Sequence, residues 1–529
     1  MYVEMGHEAK RLRLQSELDS QKTQADRNRM GQFATPTALA REMLTFGVSL
    51  LPSDAPVRFL DPGIGTGSFY SALRSIASAD RIERAEGFEI DAHYCLPAQQ
   101  LWAGAPLKIH LADFTTAQPP GADAERFNLV ICNPPYVRHH HISREHKRRL
   151  QDAVTRVCGL RTSGLTGLYC YFLLLSHEWL AQGGVGGWLV PSEFMDVNYG
   201  KAVKRYLLNE VTLLRIHRYD PEDVQFEDAL VSSAVIWLRN DKPPADHAID
   251  FTFGGSLASP HLSRMVRSEA LSRESKWTRF PVSTARPVAN RITLGDLFTI
   301  KRGVATGSND FFILSRSRIE EGGLPIECFK PILPSPRHLP QGEVAADAQQ
   351  NPLVEPQLFL LECRLPEGDI RERYPALWQY LQSGKPEVAQ RYLCRHRNPW
   401  YAQEHRPPAP FICTYIGRRN GANGRPFRFI LNHSRATAAN VYLLLYPKPL
   451  LARELAADAG LAHRIWERLN RIGPEALVAE GRVYGGGLHK LEPSELGSTP
   501  ADSLLALLPQ LRVSLVHQTG LFRAGEERR

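Results

Sequence analysis

The sequence predicts an α/β protein, with a doubly wound, mostly parallel sheet in the first half of the chain and a second, mixed α/β domain after it. Three observations carry this. Residues 57–240 alternate β-like apolar runs with helix-like stretches, and glycine-rich turns or acids stand where several of those runs end. After about residue 240 the chain turns polar and proline-bearing, and from Ile292 it continues as short β-like runs between many Gly and Pro turns.

In order, the strand candidates are residues 57–60, 85–90, 107–111, 127–132, 185–190, 211–217 and 231–238. Helices are expected between them, for example over 68–77 and 165–182. Only residues 218–230 separate the last two strands, too few for a crossover helix, so an antiparallel hairpin is expected at the sheet edge. The stretch NDKPPAD at 240–246 opens an irregular connection. The division that follows is an N-terminal helical extension (1–29), a catalytic domain (30–245), a linker (246–290) and a C-terminal domain (291–529).

Hydrophobic residues make up 43% and charged residues 23%, as in an ordinary globular protein. The longest apolar run, LYCYFLLL at 168–175, is far below the roughly 20 residues of a membrane span. The first thirty residues are charged and lack an apolar signal core, so a cytoplasmic protein with no membrane association is expected. The eight cysteines form no CxxC pair and read as free thiols, without zinc or disulfides. Charge is uneven: residues 1–240 carry 26 Lys and Arg against 27 acids, residues 241–529 carry 38 against 29. Residues 391–440 hold nine arginines and a single acid, Glu404, interleaved with Tyr392, Trp400, Tyr401, Phe411, Tyr415, Phe427 and Phe429. Guanidinium and aromatic groups together suit phosphate contact and base stacking, which points to nucleic acid.

The chemistry-bearing motifs lie at strand ends. Asp61-Pro62-Gly63-Ile64-Gly65-Thr66-Gly67 follows the first strand and opens a helix. Its glycines let the backbone approach a ligand, and Asp61 can accept from an ammonium group. Glu89-Ile90-Asp91 ends the second strand, where an acid can bind both hydroxyls of a ribose. Asp113 and Phe114 follow the third, able to hold an adenine amino group and cover its ring. After the fourth come Asn133-Pro134-Pro135-Tyr136. The prolines hold an extended turn that presents the Asn133 amide oxygen and the Pro134 carbonyl as paired acceptors for an amino group, with Tyr136 as a flat wall. Arg138-His139-His140-His141 and the basic residues to Arg149 lack the ligand set of a metal site and read as a flexible basic loop.

FLDPGIGTGSF, GFEID, LADF and NPPY in this order resemble the gamma-class, TaqI-like N6-adenine methyltransferases of the N(4)/N(6) DNA methyltransferase family. The resemblance spans about residues 30–240 and implies a Rossmann-like class I methyltransferase sheet. Gly31-Gln32-Phe33-Ala34-Thr35-Pro36 matches a further cofactor element of that family. Val224-Gln225-Phe226 matches the segment whose aromatic packs on a flipped base. It thus implies S-adenosylmethionine as cofactor, held by Phe33, Thr35, Asp61, Gly63, Gly65, Glu89, Ile90, Asp113 and Phe114. Asn133, Pro134, Pro135 and Tyr136 would be the catalytic turn, and Tyr136 with Phe226 would stack the base. A second resemblance joins Leu294-Gly295-Asp296, Lys301-Arg302-Gly303, Thr306–Asn309, Arg428–Asn432 and the 484–496 stretch to the target-recognition domains of these enzymes.

The expected function is therefore methylation of adenine N6 in double-stranded DNA by a monomer. A cognate restriction endonuclease would be a functional rather than physical partner. Arg138, Arg302, Arg418, Arg419 and Arg425 are the expected DNA contacts, and no metal is expected. The rival readings are an amino-methyltransferase acting on cytosine N4, an rRNA base or a protein glutamine, and a catalytically silent DNA-binding subunit. The absence of any Pro-Cys dipeptide argues against a thiolate-dependent cytosine C5 mechanism.

Overall fold

Strand residues that must be apolar on two sides lie at the centre of the sheet. The computed structural model describes residues 6–220, 232–281, 292–418, 424–484 and 487–508. In it Val57–Asp61 (β1), Ile82–Glu89 (β2), Leu107–Leu111 (β3), Phe127–Cys132 (β4) and Leu180–Pro191 (β5) run parallel in the order β3-β2-β1-β4-β5. Leu129, Val130, Ile131 and Cys132 of β4 are all fully buried, as a strand covered on both faces requires. Side chains alternate between the faces. Phe59, Leu129 and Ile131 pack with helices Thr37–Ser49 and Ser68–Ile76 on one side. Leu60, Val130 and Cys132 pack with helices Arg144–Cys158 and Leu168–Leu175 on the other.

Thr212–Arg218 (β6) and Ser233–Arg239 (β7) pair antiparallel, and β7 inserts between β5 and β6. This hairpin is not the sheet edge. Ala248–Gly255 (β8) pairs parallel with β6, and Pro260–Arg267 (β9) pairs antiparallel with β8, giving nine strands among the described residues. The expected irregular connection over 246–290 is corrected accordingly. Ile249 and Phe251 are buried while Asp250 faces the Arg215 guanidinium at 2.6 Å, so a period-two pattern was present in the sequence and went unread. The helix expected over 165–182 is shorter. It ends at Leu175, and a single turn (Ser176–Trp179) leads into β5, because a continuous buried apolar run does not by itself distinguish helix from strand.

Contacts divide the chain at Thr284/Ala285. In the second unit a five-stranded sheet orders Phe298–Arg302, Tyr442–Pro447, Phe411–Thr414, Phe429–Asn432 and Glu343–Val344. A four-stranded sheet orders Ile313–Ser315, Leu358–Leu361, Phe329–Leu333 and Thr437–Ala438, and a three-stranded one includes Ile416–Arg418. No helix among the described residues is long and apolar enough to cross a membrane.

Candidate active site

The four turns after β1, β2, β3 and β4 meet at the carboxyl ends of the parallel strands, beside the place where strand order reverses. Gly65 (φ +53°) and Gly67 (φ +90°) adopt left-handed backbone, and a Cβ on Gly67 would fall 2.6 Å from the Trp102 indole nitrogen, which donates to the Thr66 carbonyl. Asp61 is buried; its Oδ1 accepts from the Gly63 amide at 3.1 Å, and the Cys132 thiol lies beside it. Burial pushes its carboxyl up from 3.8 to about 7, against the Gly63 and Cys132 hydrogen bonds and with help from the Glu89 charge.

Glu89 is held by two backbone amides, Asp91 N at 2.9 Å and Gly65 N at 3.2 Å, yet burial still raises its carboxyl above the ordinary range. Asp113 is more fully engaged. Its Oδ1 accepts from the Thr115 amide and hydroxyl at 2.9 and 2.7 Å, and its Oδ2 meets Arg149 at 3.0 Å. The segment 139–149 is not a flexible loop: His139–His141 make a helical turn, and Arg144 begins a fifteen-residue helix. Ile142, Leu150 and Val154 sink into the core and fix it there.

The turn after β4 is sewn to the 31–36 segment. The Tyr136 amide donates to the Gly31 carbonyl at 3.2 Å, and Gly31 (φ +67°) passes so close that a Cβ would sit 2.4 Å from that amide nitrogen. Asn133 Nδ2 donates to the Phe33 carbonyl at 3.0 Å and to Thr35 Oγ1 at 3.2 Å. Because a carbonyl can only accept, this network decides the orientation of the amide. Asn133 Oδ1 is left buried without a hydrogen-bond partner among the described residues. Tyr136 is half-buried, with its hydroxyl donating to the Leu189 carbonyl at 3.2 Å and its ring 5.7 Å from Phe33.

These turns enclose a cavity of about 430 Å³, lined by all nine expected cofactor residues and by Asn133 and Pro135. Pro134 is buried and is not among the lining residues, and Phe226 lies outside the described residues. The lining carries the carboxylates of Asp19, Asp61, Glu89 and Asp113 against one guanidinium, Arg29, a balance that suits a cationic ligand. Among the described residues no His, Cys, Asp and Glu cluster could hold a metal ion.

Residues 80–225 match the family model described as Eco57I restriction-modification methylase, and residues 281–522 match that of the C-terminal domain of the type II methyltransferase M.Eco57I. The chain is 29% identical to the type II methyltransferase M.XamI of Xanthomonas campestris pv. amaranthicola, over 90% of this chain and 86% of the relative. It is 26% identical to M.AccI of Acinetobacter calcoaceticus, over 89% and 85%. Two separate stretches of the chain thus match Eco57I-like type II methyltransferase families. Its fold is shared with the DNA-bound type IIL restriction-modification enzyme MmeI, at a TM-score of 0.50 and 12% identity over 93% of this chain and 67% of the other. A type II DNA methyltransferase of this kind takes its methyl group from S-adenosylmethionine. The acidic cavity with a free acceptor on Asn133 fits that sulfonium- and ammonium-bearing cofactor.

In the C-terminal domain of this methyltransferase the arginines divide by task. Arg397 donates to the Thr306 and Ala305 carbonyls at 2.7 and 2.5 Å, and Arg428 to those of Pro340 and Gln341 at 2.9 Å each. Arg406 reaches the Arg302 carbonyl at 3.0 Å, and Arg425 the Asn470 carbonyl. Arg302 bonds the Asn440 carbonyl at 3.0 Å and lies over the Tyr415 ring at 4.2 Å. Arg138, in the catalytic unit, and Arg418 are exposed, and their guanidinium groups make no hydrogen bond or ion pair among the described residues; Arg419 lies outside those residues. The interleaved aromatics are mostly core: Tyr401, Phe411, Tyr415, Phe427 and Phe429 are buried, and Tyr392 alone is widely exposed at 68%. The expectation that they stack bases is corrected, because strands 411–414 and 429–432 are covered on both faces, which puts Phe411 and Phe429 in the core.

Sequence reasoning missed the N-terminal helix as part of the site. Arg11 of helix His7–Ser20 is 1% exposed and bonds Glu8 and Thr66, Gln15 accepts from Thr66 Oγ1 at 2.6 Å, and Gln15 and Asp19 line the cavity. Its weak amphipathic pattern hid this, since only Leu18 and the polar Arg11 are buried. Gln32, which donates to Asp91 at 2.8 Å, and the cavity residues His141 and His146 were likewise unassigned.

Proposed function

We propose that this methyltransferase acts on the N6 amino group of adenine in a duplex DNA site, with the base turned out of the stack. One observation carries the reading: both amide protons of Asn133 are engaged, by Phe33 O and Thr35 Oγ1, so its buried Oδ1 is left to accept from a substrate. S-adenosylmethionine, when bound, supplies an electrophilic methyl carbon to the amino nitrogen. Asp61 holds the ammonium group of the cofactor's methionine portion and Glu89 the ribose hydroxyls. Asn133 Oδ1 and the Pro134 carbonyl accept the two amino hydrogens, which aims the nitrogen lone pair at the methyl group. Tyr136, steadied by the Leu189 carbonyl, stacks on the base, with Phe226 on its other face. Pro135 closes the turn. Arg138, Arg302, Arg418, Arg419 and Arg425 contact the DNA, and the mark protects host DNA from a cognate restriction endonuclease.

The test is nucleoside analysis of plasmid DNA treated with the enzyme and labelled cofactor. N6-methyldeoxyadenosine, formed about 10²-fold more slowly by Asn133→Ala, is the expected product. N4-methyldeoxycytidine would replace the base assignment, and no labelled DNA at all would overturn the reading.

A further inference from the structure

The end of the cavity bounded by Asp113 and Phe114 contains a polar atom with no hydrogen bond among the described residues. His146, in the first turn of helix Arg144–Cys158, lines the cavity beside His141 and Ile142. Its Nε2 is buried and has no hydrogen-bond partner among the described residues. Buried polar atoms in folded proteins are nearly always paired, so this one calls for a partner from within the cavity. Val137, Leu168, Phe172 and Phe114 are apolar residues of the same cavity lining.

Asp113, which the sequence reads as able to hold an adenine amino group, is already engaged on both oxygens. Thr115 donates twice to its Oδ1, and Arg149 takes Oδ2 at 3.0 Å. Arg149 stands three residues after His146 on the same helix, so both side chains lie along one face, His146 lining the cavity and Arg149 meeting Asp113. The helix thus neutralises Asp113 with one residue and offers an unengaged imidazole nitrogen with the other. Burial and the Arg149 charge hold His146 below its ordinary range, against the pull of Asp113, so the ring stays neutral and Nε2 can accept.

We propose that His146, with its proton on Nδ1, accepts a hydrogen bond at Nε2 from the amino group of the cofactor's adenine. It thereby discriminates S-adenosyl ligands from their deaminated counterparts. This rests on the reading of the cavity as the S-adenosylmethionine site.

The experiment is calorimetric binding of S-adenosylhomocysteine and of its analogue with hydrogen in place of the adenine amino group. Wild type and His146→Phe are compared, the substitution keeping a flat ring and removing the nitrogen. His146→Phe is expected to weaken S-adenosylhomocysteine by about 3–10-fold, the scale of one net hydrogen bond, and to leave the deaminated analogue unchanged. His146→Gln, which retains an acceptor, should restore part of the difference. Equal loss for both ligands, or no loss for either, overturns the proposal. Should His146→Phe not fold, the ¹⁵N resonance of Nε2 in the wild-type protein decides: it moves with S-adenosylhomocysteine and not with the analogue if the bond forms, and moves equally with both if it does not. Failure of the wild-type protein to bind S-adenosylhomocysteine would instead remove the reading of the cavity itself.

Discussion

Asn133 Nδ2 lies 3.0 Å from the carbonyl oxygen of Phe33 and donates to it, which joins the turn after β4 to a segment one hundred residues earlier in the chain. The bond does more than tether. It turns the amide so that oxygen, not nitrogen, is left for a substrate.

Two substitutions separate these roles. Asn133→Ala deletes the acceptor and should slow single-turnover methyl transfer by about 10²-fold or more, with cofactor binding little changed. Thr35→Val keeps the shape but removes one anchor of the amide. It should slow transfer by about 3–10-fold, the scale of one hydrogen bond. A Thr35→Val enzyme with wild-type transfer would show that Phe33 alone orients Asn133.

Gly31→Ala should be worse than its size suggests. The position has φ +67°, and the added methyl would meet the Tyr136 amide nitrogen at 2.4 Å, backbone that has no rotamer to escape by. A loss of about 1–3 kcal/mol in denaturant unfolding is expected, together with loss of methylation.

Cofactor affinity should rise with pH and level off near neutrality. Burial raises the Asp61 carboxyl from 3.8 to about 7, so in the free protein below that point the group carries a proton. An ammonium group binds its ionised form, and the proton must leave, weakening affinity by up to about tenfold per pH unit as pH falls. Glu89, also raised by burial, acts in the same direction. For stability of the free protein the sign is opposite: a raised carboxyl favours the folded state at low pH, and that contribution is lost as pH climbs through about 7. Calorimetry across this range, with Asp61→Asn as the flat control, measures the first effect.

Arg428 and Arg418 should fail in different assays. Arg428 satisfies carbonyl oxygens in the 336–341 loop, so Arg428→Ala should cost about 2–3 kcal/mol of stability in the C-terminal domain. Arg418 is exposed with its guanidinium unengaged. Arg418→Ala should leave melting unchanged and reduce the slope of DNA affinity against salt by about one. Titrations at several salt concentrations distinguish the two.

The parallel strands were legible because each carries its own pattern: β3 and β4 have the bounds the apolar runs predict, and β1 and β2 end within a residue of them. β8 was not, although Ile249 and Phe251 alternate with polar neighbours, because a strand flanked by prolines and glycines resembles a connection until its partner β6 is known.

The site divides in the same way. Asp61, Glu89, Asp113 and Asn133 could be named from sequence, since each stands at a strand end where the chain must turn and expose a side chain. What each atom is free to do depended on groups far away in the chain. Phe33 and Thr35 orient Asn133, Arg149 occupies Asp113, and helix His7–Ser20 brings Gln15 and Asp19 to the cavity. The arginine-rich stretch 391–440 shows the same limit, since composition marked it as basic but only tertiary contacts distinguished Arg428, holding carbonyls, from Arg418, facing solvent. Local pattern determined the fold class and the place of the turn after β4, because strand burial and turn geometry are properties of neighbouring residues. Hydrogen-bond occupancy was decided only by the tertiary structure, because a donor or acceptor is free or engaged according to what folding brings within about 3 Å of it.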